Sequence, residues 1–125
     1  MPDSRKFTRT PEPPYYAVIF TSQLTEGDSG YARMAEAMSK LAAQQRGYLG
    51  HDIARDAAGF GMNVSYWTDE DSIRAWKHAA EHHAAQVIGR DRWYEHYELR
   101  VAKIERAYSG PEGRDEAMIK AASLK

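Results

Sequence analysis

Asn63 and Trp67 stand four residues apart in the segment Phe60–Trp67, with only small residues, Gly61 and Ser65, sharing their side of a strand. Small residues between a carboxamide and an indole leave room for a ligand. The same pair also has a plain structural role open to it: Asn63 bonds a neighbouring backbone group and Trp67 fills core. A second set lies on one helical stripe, Ile73, Trp76, Ala80, His83 and Val87. Ala79 and Ala80 lower the bulk beside Trp76, so a cavity there would expose Trp76 and His83; otherwise His83 is a satisfied core histidine. His78 and His82 are four apart and face roughly the other way. That spacing suits a metal, but no third ligand or His-Glu-x-x-His motif accompanies it, and a solvated helix face accounts for the pair. No metal is expected. The third set is Arg90, Arg92, Trp93, Tyr94, His96, Tyr97 and Arg100, where cations and aromatic rings alternate. It either closes a pocket on an aromatic or anionic substrate or forms a packed corner with exposed arginines. Pocket candidates are thus Trp76, His82, His83, Arg90, Trp93 and Tyr97.

Composition removes several classes of chemistry. The 125 residues contain no cysteine, which excludes disulfides, thiolate nucleophiles, iron–sulfur clusters and cysteine zinc sites. A net charge of −1, with both signs spread along the chain, offers no basic face for a nucleic acid backbone. No stretch is long and apolar enough for a membrane span, and the polar, proline-rich Met1–Pro14 does not read as an export signal, so the cytoplasm is the expected location. Glycine-rich phosphate loops, a Gly-x-Gly-x-x-Gly signature and a nucleophile elbow are all missing.

The elements that must position these residues follow from periodicity. Prolines 11, 13 and 14 keep residues 1–14 extended, and Tyr15–Phe20, rich in aromatic and β-branched residues, predicts a first strand. Tyr31, Met34, Ala35, Met38, Leu41 and Ala42 recur at helical spacing up to Gly47. Tyr48–Arg55 and Phe60–Trp67 flank the turn residues Asp56–Gly59 as a hairpin. Thr68, with Asp71 three residues on, predicts the cap of a helix running to about Ile88. Arg90–Tyr97 reads as a helical or irregular link and Leu99–Tyr108 as the last strand, ended by Ser109-Gly110-Pro111. The order β-α-β-β-α-β predicts an α+β, ferredoxin-like domain over 15–109 with a tail at 110–125. Its sheet carries both helices on one face, yet the strand Phe60–Trp67 has apolar or aromatic residues on both, which predicts a homodimer formed by packing sheet on sheet.

Tyr16–Thr21, Gly47-Tyr48-Leu49-Gly50, Val64–Trp67, Ser72–Lys77, Glu81-His82, Ala85-Gln86, Gly89-Arg90 and Trp93-Tyr94 together resemble the antibiotic biosynthesis monooxygenase family across roughly residues 14–109. The resemblance implies a dimeric α/β barrel. One branch of that family oxidises phenolic polyketides with dioxygen and neither metal nor flavin, and is thought to employ an Asn and a Trp four apart on a strand. Asn63 and Trp67 match, and the resemblance implies a catalytic role for both. The position where that branch places a helical Tyr is Ile73 here, and His51 is near, not at, its second-strand His. The haem-degrading branch needs a first-strand Asn, a second-helix Trp and a His about ten residues later. Trp76 fits, but Gln86 stands at the His position and Tyr15–Ser22 has no Asn. The expectation is a cofactor-independent monooxygenase acting with O2 on a small aromatic, quinol-like molecule. The alternatives are a haem-binding or haem-degrading protein, with His82 or His83 on the iron, and a non-enzymatic dimeric module that binds a small ligand.

Overall fold

A computed structural model describes residues 7–26, 30–87 and 93–111. In chain order the elements are β1 (Tyr15–Leu24), α1 (Tyr31–Ala43), β2 (Tyr48–Arg55), β3 (Phe60–Trp67), α2 (Glu70–Val87) and β4 (Tyr94–Ile104). The strands form one antiparallel sheet in the order β2-β3-β1-β4. This is the α+β, ferredoxin-like arrangement that the element order predicts, and its two crossings place both helices over one side of the sheet.

Both hairpin strands have the expected limits, because alternation and the Asp56–Gly59 turn define them locally. The turn closes through Gly59 N–H to Asp56 O (3.1 Å) and Phe60 N–H to Asp56 Oδ1 (2.9 Å). Four expectations change. β1 continues past Phe20 to Leu24: its polar end, Ser22 and Gln23, is held by ladders on both sides, opposite Gly61 and Phe60 of β3 and Tyr97 and His96 of β4. β4 starts at Tyr94, so residues 94–97 are strand and not a link, and it ends at Ile104 instead of Tyr108. As an edge strand it leaves one rim in water, where its charged residues are tolerated. The cap of α2 is Asp69, whose Oδ1 accepts the Ser72 N–H at 2.7 Å, while Thr68 Oγ1 donates to Asp69 Oδ2 at 3.0 Å. Finally, α1 stops at Ala43, and Gly47 serves a different purpose from capping it. It takes φ 86°, its carbonyl accepts the Thr68 N–H at 2.8 Å, and a Cβ there would lie 2.2 Å from Ser72 Oγ. The turn into β2 can touch the start of α2 only without a side chain.

The core sits between sheet and helices: Val18, Ala42, Trp67 and Ile73, with Tyr16, Tyr48, Trp76 and Leu99 packed around them. Trp67 is wholly inaccessible; truncation of such a ring costs about 3–5 kcal/mol. On the opposite side, Phe60 and Met62 are exposed at 51% and 45%. The end of that open face nearest Tyr15 is roofed by residues 7–14. Thr8 donates through Oγ1 and N to Asp52 Oδ1 (2.7 and 3.2 Å), Tyr66 Oη donates to Asp52 Oδ2 (2.9 Å), and Thr10 Oγ1 bonds Tyr15 Oη (3.0 Å). Gly50, at φ 140°, lets Thr8 approach; a Cβ there would lie 2.5 Å from the Thr8 methyl.

Candidate functional site

Side chains on paired residues share a face, so the registers sort the helix-covered side into four rows across β2, β3, β1 and β4. They are Arg55–Gly61–Ser22–Tyr97, Ile53–Asn63–Phe20–Leu99, His51–Ser65–Val18–Val101 and Tyr48–Trp67–Tyr16–Lys103. Asn63 therefore lies beneath the helices, one row from the core and diagonal to His51.

The polar groups of this face are unevenly satisfied. Trp67 donates its indole N–H to Ser65 Oγ at 2.9 Å, which leaves that donor engaged. Trp76 packs on Trp67, ring centroids 5.5 Å apart, and its own N–H is buried without a partner among the described residues. The Asn63 carboxamide oxygen is likewise buried and unpaired. Each such group forgoes about 1–3 kcal/mol until something bonds it. Tyr48 Oη is hydrogen-bonded to His51 Nδ1, and burial raises the Tyr48 phenol above its ordinary pKa. In the tautomer whose Nδ1–H donates to Tyr48, His51 Nε2 carries the lone pair.

Beyond Asn63 the face ends in rings. Phe20 meets Tyr94 and Tyr97 at 5.3 Å, and Tyr94 meets Tyr31 at 5.9 Å. Burial, with the Tyr31 hydrogen bond, pushes the Tyr94 phenol well above its usual range. Arg55 crosses the bare Cα of Gly61, where a Cβ would lie 2.8 Å from its own, to reach Ser22 Oγ at 2.7 Å and sit 5.3 Å from the Tyr31 ring.

The positions expected from sequence separate into groups. Asn63, Trp67, Trp76 and Tyr97 come together on the helix side, Tyr97 as an exposed member of the aromatic end. Trp93 is half-buried just before β4, its carbonyl accepting the Thr25 N–H at 2.8 Å. His82 is exposed on α2, as is His78, and among the described residues no three His, Asp or Glu side chains gather as a metal site. Arg90 and the His83 side chain lie outside the described residues, as does the tail from 112. A groove of about 310 Å³ runs between α2 and β4, lined by Glu70, Ile73, Arg74, Lys77, Leu99 and Val101; Asn63 is not part of its wall. Sequence reasoning did not select Tyr48, Arg55 or Tyr31 for the site, set His51 aside as near but not at the family's position, and read Ser65 only as a small residue that leaves space. The strand alternation of His51, Ile53 and Arg55 was the available signal, but only the register assigns that set to the helix side.

Fold and site thus define a ferredoxin-like domain with unpaired polar groups on its helix-covered face. A family model described as antibiotic biosynthesis monooxygenase matches residues 16–87, and the chain belongs to that family. It is 54% identical over 99 residues to the uncharacterized protein YqjZ of Bacillus subtilis, covering 79% of this chain and 87% of that one. It is 32% identical over 93 residues to the jasmonate monooxygenase ABM of Pyricularia oryzae, covering 71% of this chain but 43% of that protein. Among solved structures, SnoaB, a cofactor-independent oxygenase of Streptomyces nogalater, superimposes with TM-score 0.63 at 13% identity over 76% of this chain and 97% of that one. The haem degrader MhuD of Mycobacterium tuberculosis gives TM-score 0.57 at 13% identity over 75% and 99%. At these identities the structural matches speak for the fold. Among the described residues no helix is long and apolar enough to cross a membrane.

Proposed function

We propose that this protein is a cofactor-independent monooxygenase that oxidises a small phenolic, quinol-like substrate with O2. The observation that carries this reading is the Asn63 carboxamide oxygen on the helix-covered face, buried without a partner among the described residues and diagonal to His51. A phenolic methylene would lose a proton to His51 Nε2, in the tautomer whose Nδ1–H is donated to Tyr48 Oη. The resulting carbanion, delocalised onto the phenolic oxygen, would reduce O2. One oxygen atom becomes the new carbonyl, the other leaves as water with the two methylene hydrogens, and the substrate supplies all four electrons. Asn63 would orient the phenol and hold the developing charge. Trp67 would act by fixing Ser65 and the wall, Trp76 by offering its free N–H, and Tyr97 by bounding the aromatic end. Arg90, Trp93, His82 and His83 remain candidates for closing the pocket from α2 and the segment after it. Oxygen uptake with anthrone-like phenols that persists in chelator tests the reading; an Asn63→Ala protein with unchanged rates would sink it.

The family's fold also holds haem in MhuD. Here His82 is exposed, Gln86 occupies the position of that branch's histidine and β1 has no Asn, so these residues do not fit that branch's haem site. A Soret band on adding haemin, lost in His82→Ala or His83→Ala, would favour that reading instead, and saturable binding of a phenol without turnover would favour a carrier. The working unit we infer is a homodimer joined through the open face, where Ile19, Phe60, Met62 and Val64 form an apolar surface. Sedimentation of a Met62→Glu protein as a monomer, against a wild-type dimer, tests it. The cytoplasm is the proposed compartment.

A further inference from the structure

We propose that Arg55 is an anion subsite that selects substrates carrying a carboxylate a few bonds from the oxidised carbon; this rests on the oxidation site being at Asn63. Arg55 is a half-buried cation with no acidic partner among the described residues. It donates from Nη1 to Ser22 O (3.2 Å) and Gly59 O (2.6 Å), and from Nη2 to Ser22 Oγ (2.7 Å). A guanidinium has five N–H groups. The two not used, on Nε and Nη2, form one edge of the fork, and that edge matches the two oxygens of a carboxylate.

The arrangement is built for this position. Gly61 removes the side chain that would block Arg55 from crossing β3, Ser22 holds the guanidinium from β1, and the Tyr31 ring flanks it 5.3 Å away. Three neutral oxygens fix the group without neutralising it, so its charge is kept for a ligand. Arg55 pairs with Gly61 and Asn63 pairs with Ile53, so the two positions lie two residues, roughly 7 Å of backbone rise, apart along the same strands. Asn63's own row, next to that of Arg55, is otherwise apolar: Ile53, Phe20 and Leu99. It suits the flat body of such a molecule, with the anion at one end and the oxidised carbon toward Asn63.

The test is calorimetric titration of the intact protein with 2-naphthoate and with its neutral methyl ester. The expected result is an acid bound about tenfold more tightly than the ester or better, as for a hydrogen bond to a charged group. In Arg55→Gln that preference collapses while ester affinity stays, and in Asn63→Ala it persists. Equal affinities in the wild type, no measurable naphthoate binding, or a preference kept by Arg55→Gln would overturn the assignment. The acid and ester comparison needs no variant, so it stands even where Arg55→Gln folds poorly. Binding is read without turnover: an acid preference in a protein that consumes no oxygen supports the subsite and defeats the oxidation reading alone.

Discussion

The indole of Trp67 and the indole of Trp76 lie 5.5 Å apart on the same side of the sheet, one with its N–H bonded to Ser65 and the other with its N–H unpaired among the described residues. Replacing each by Phe should therefore have opposite effects. Trp67→Phe orphans the Ser65 hydroxyl and opens a gap in the core, costing about 1–3 kcal/mol. Trp76→Phe removes a donor that had nothing to bond, so denaturant midpoints should be unchanged or higher while oxygen uptake falls. Urea melts and rate measurements on both proteins check this.

Asn63 should show the same separation of stability from activity. Asn63→Leu removes an unpaired buried oxygen and is expected to melt no lower than wild type, while turnover drops about 10²–10³-fold. A marked loss of thermal stability would mean that the carboxamide supports the fold.

Gly47→Ala forces a side chain onto a left-handed backbone and against Ser72, where its Cβ has 2.2 Å to the hydroxyl. A loss of about 2–4 kcal/mol is expected, read from denaturant unfolding.

At the start of α2, Asp69→Ala should lower the melting temperature more than Thr68→Ala, since Asp69 carries the bond to the Ser72 N–H. That bond, with the Thr68 hydroxyl and the Arg46 charge behind it, holds the Asp69 carboxyl below its ordinary pKa. The gap between the two variants should narrow in acid, as pH falls through the lowered value.

Asp52 links the leading segment to acidity. Burial pushes its carboxyl up, but the hydrogen bonds from Thr8 Oγ1, Tyr66 Oη and Thr8 N outweigh that, with His51 adding to them, and the net shift is downward from 3.8. The folded protein thus takes this proton less readily than the unfolded chain. The clasp on Thr8 is complete above the ordinary value and is lost as pH falls through the lowered one. The Thr8 amide resonance, followed from neutral pH to about 2, should move with that loss in wild type and show no such step in Asp52→Asn. Tyr66, pushed up to about 12 by burial and then by Asp52, stays protonated throughout.

The fold was legible where local pattern decides it. Tyr48–Arg55 and Phe60–Trp67 carry their own alternation and turn, and the spacing from Tyr31 to Ala42 marks a helix unaided. Prediction failed where a partner strand decides: Ser22 and Gln23 have no strand preference and join β1 through two ladders, and Tyr94–Tyr97 become strand by pairing with Leu24, Gln23 and Ser22. The site divides in the same way. Asn63 and Trp67 share one strand and could be paired by counting, whereas Arg55 and Ser22 are 33 residues apart in sequence and meet only after the sheet assembles. Thr68 and its neighbour Asp69 fit a cap equally well by residue type, and only backbone geometry gives the position to Asp69.

The segment laid over Tyr15 and Tyr66 has a last consequence. Thr8 and Thr10 occupy one end of the open face, so in the homodimer proposed above the second copy would seat toward the hairpin tip, where Phe60 and Met62 stand in solvent. The chain's own leading residues would then act as a spacer that fixes how far the two sheets slide past each other. A protein shortened by those residues would lose its fixed alignment and gain a sticky strip of sheet in its place.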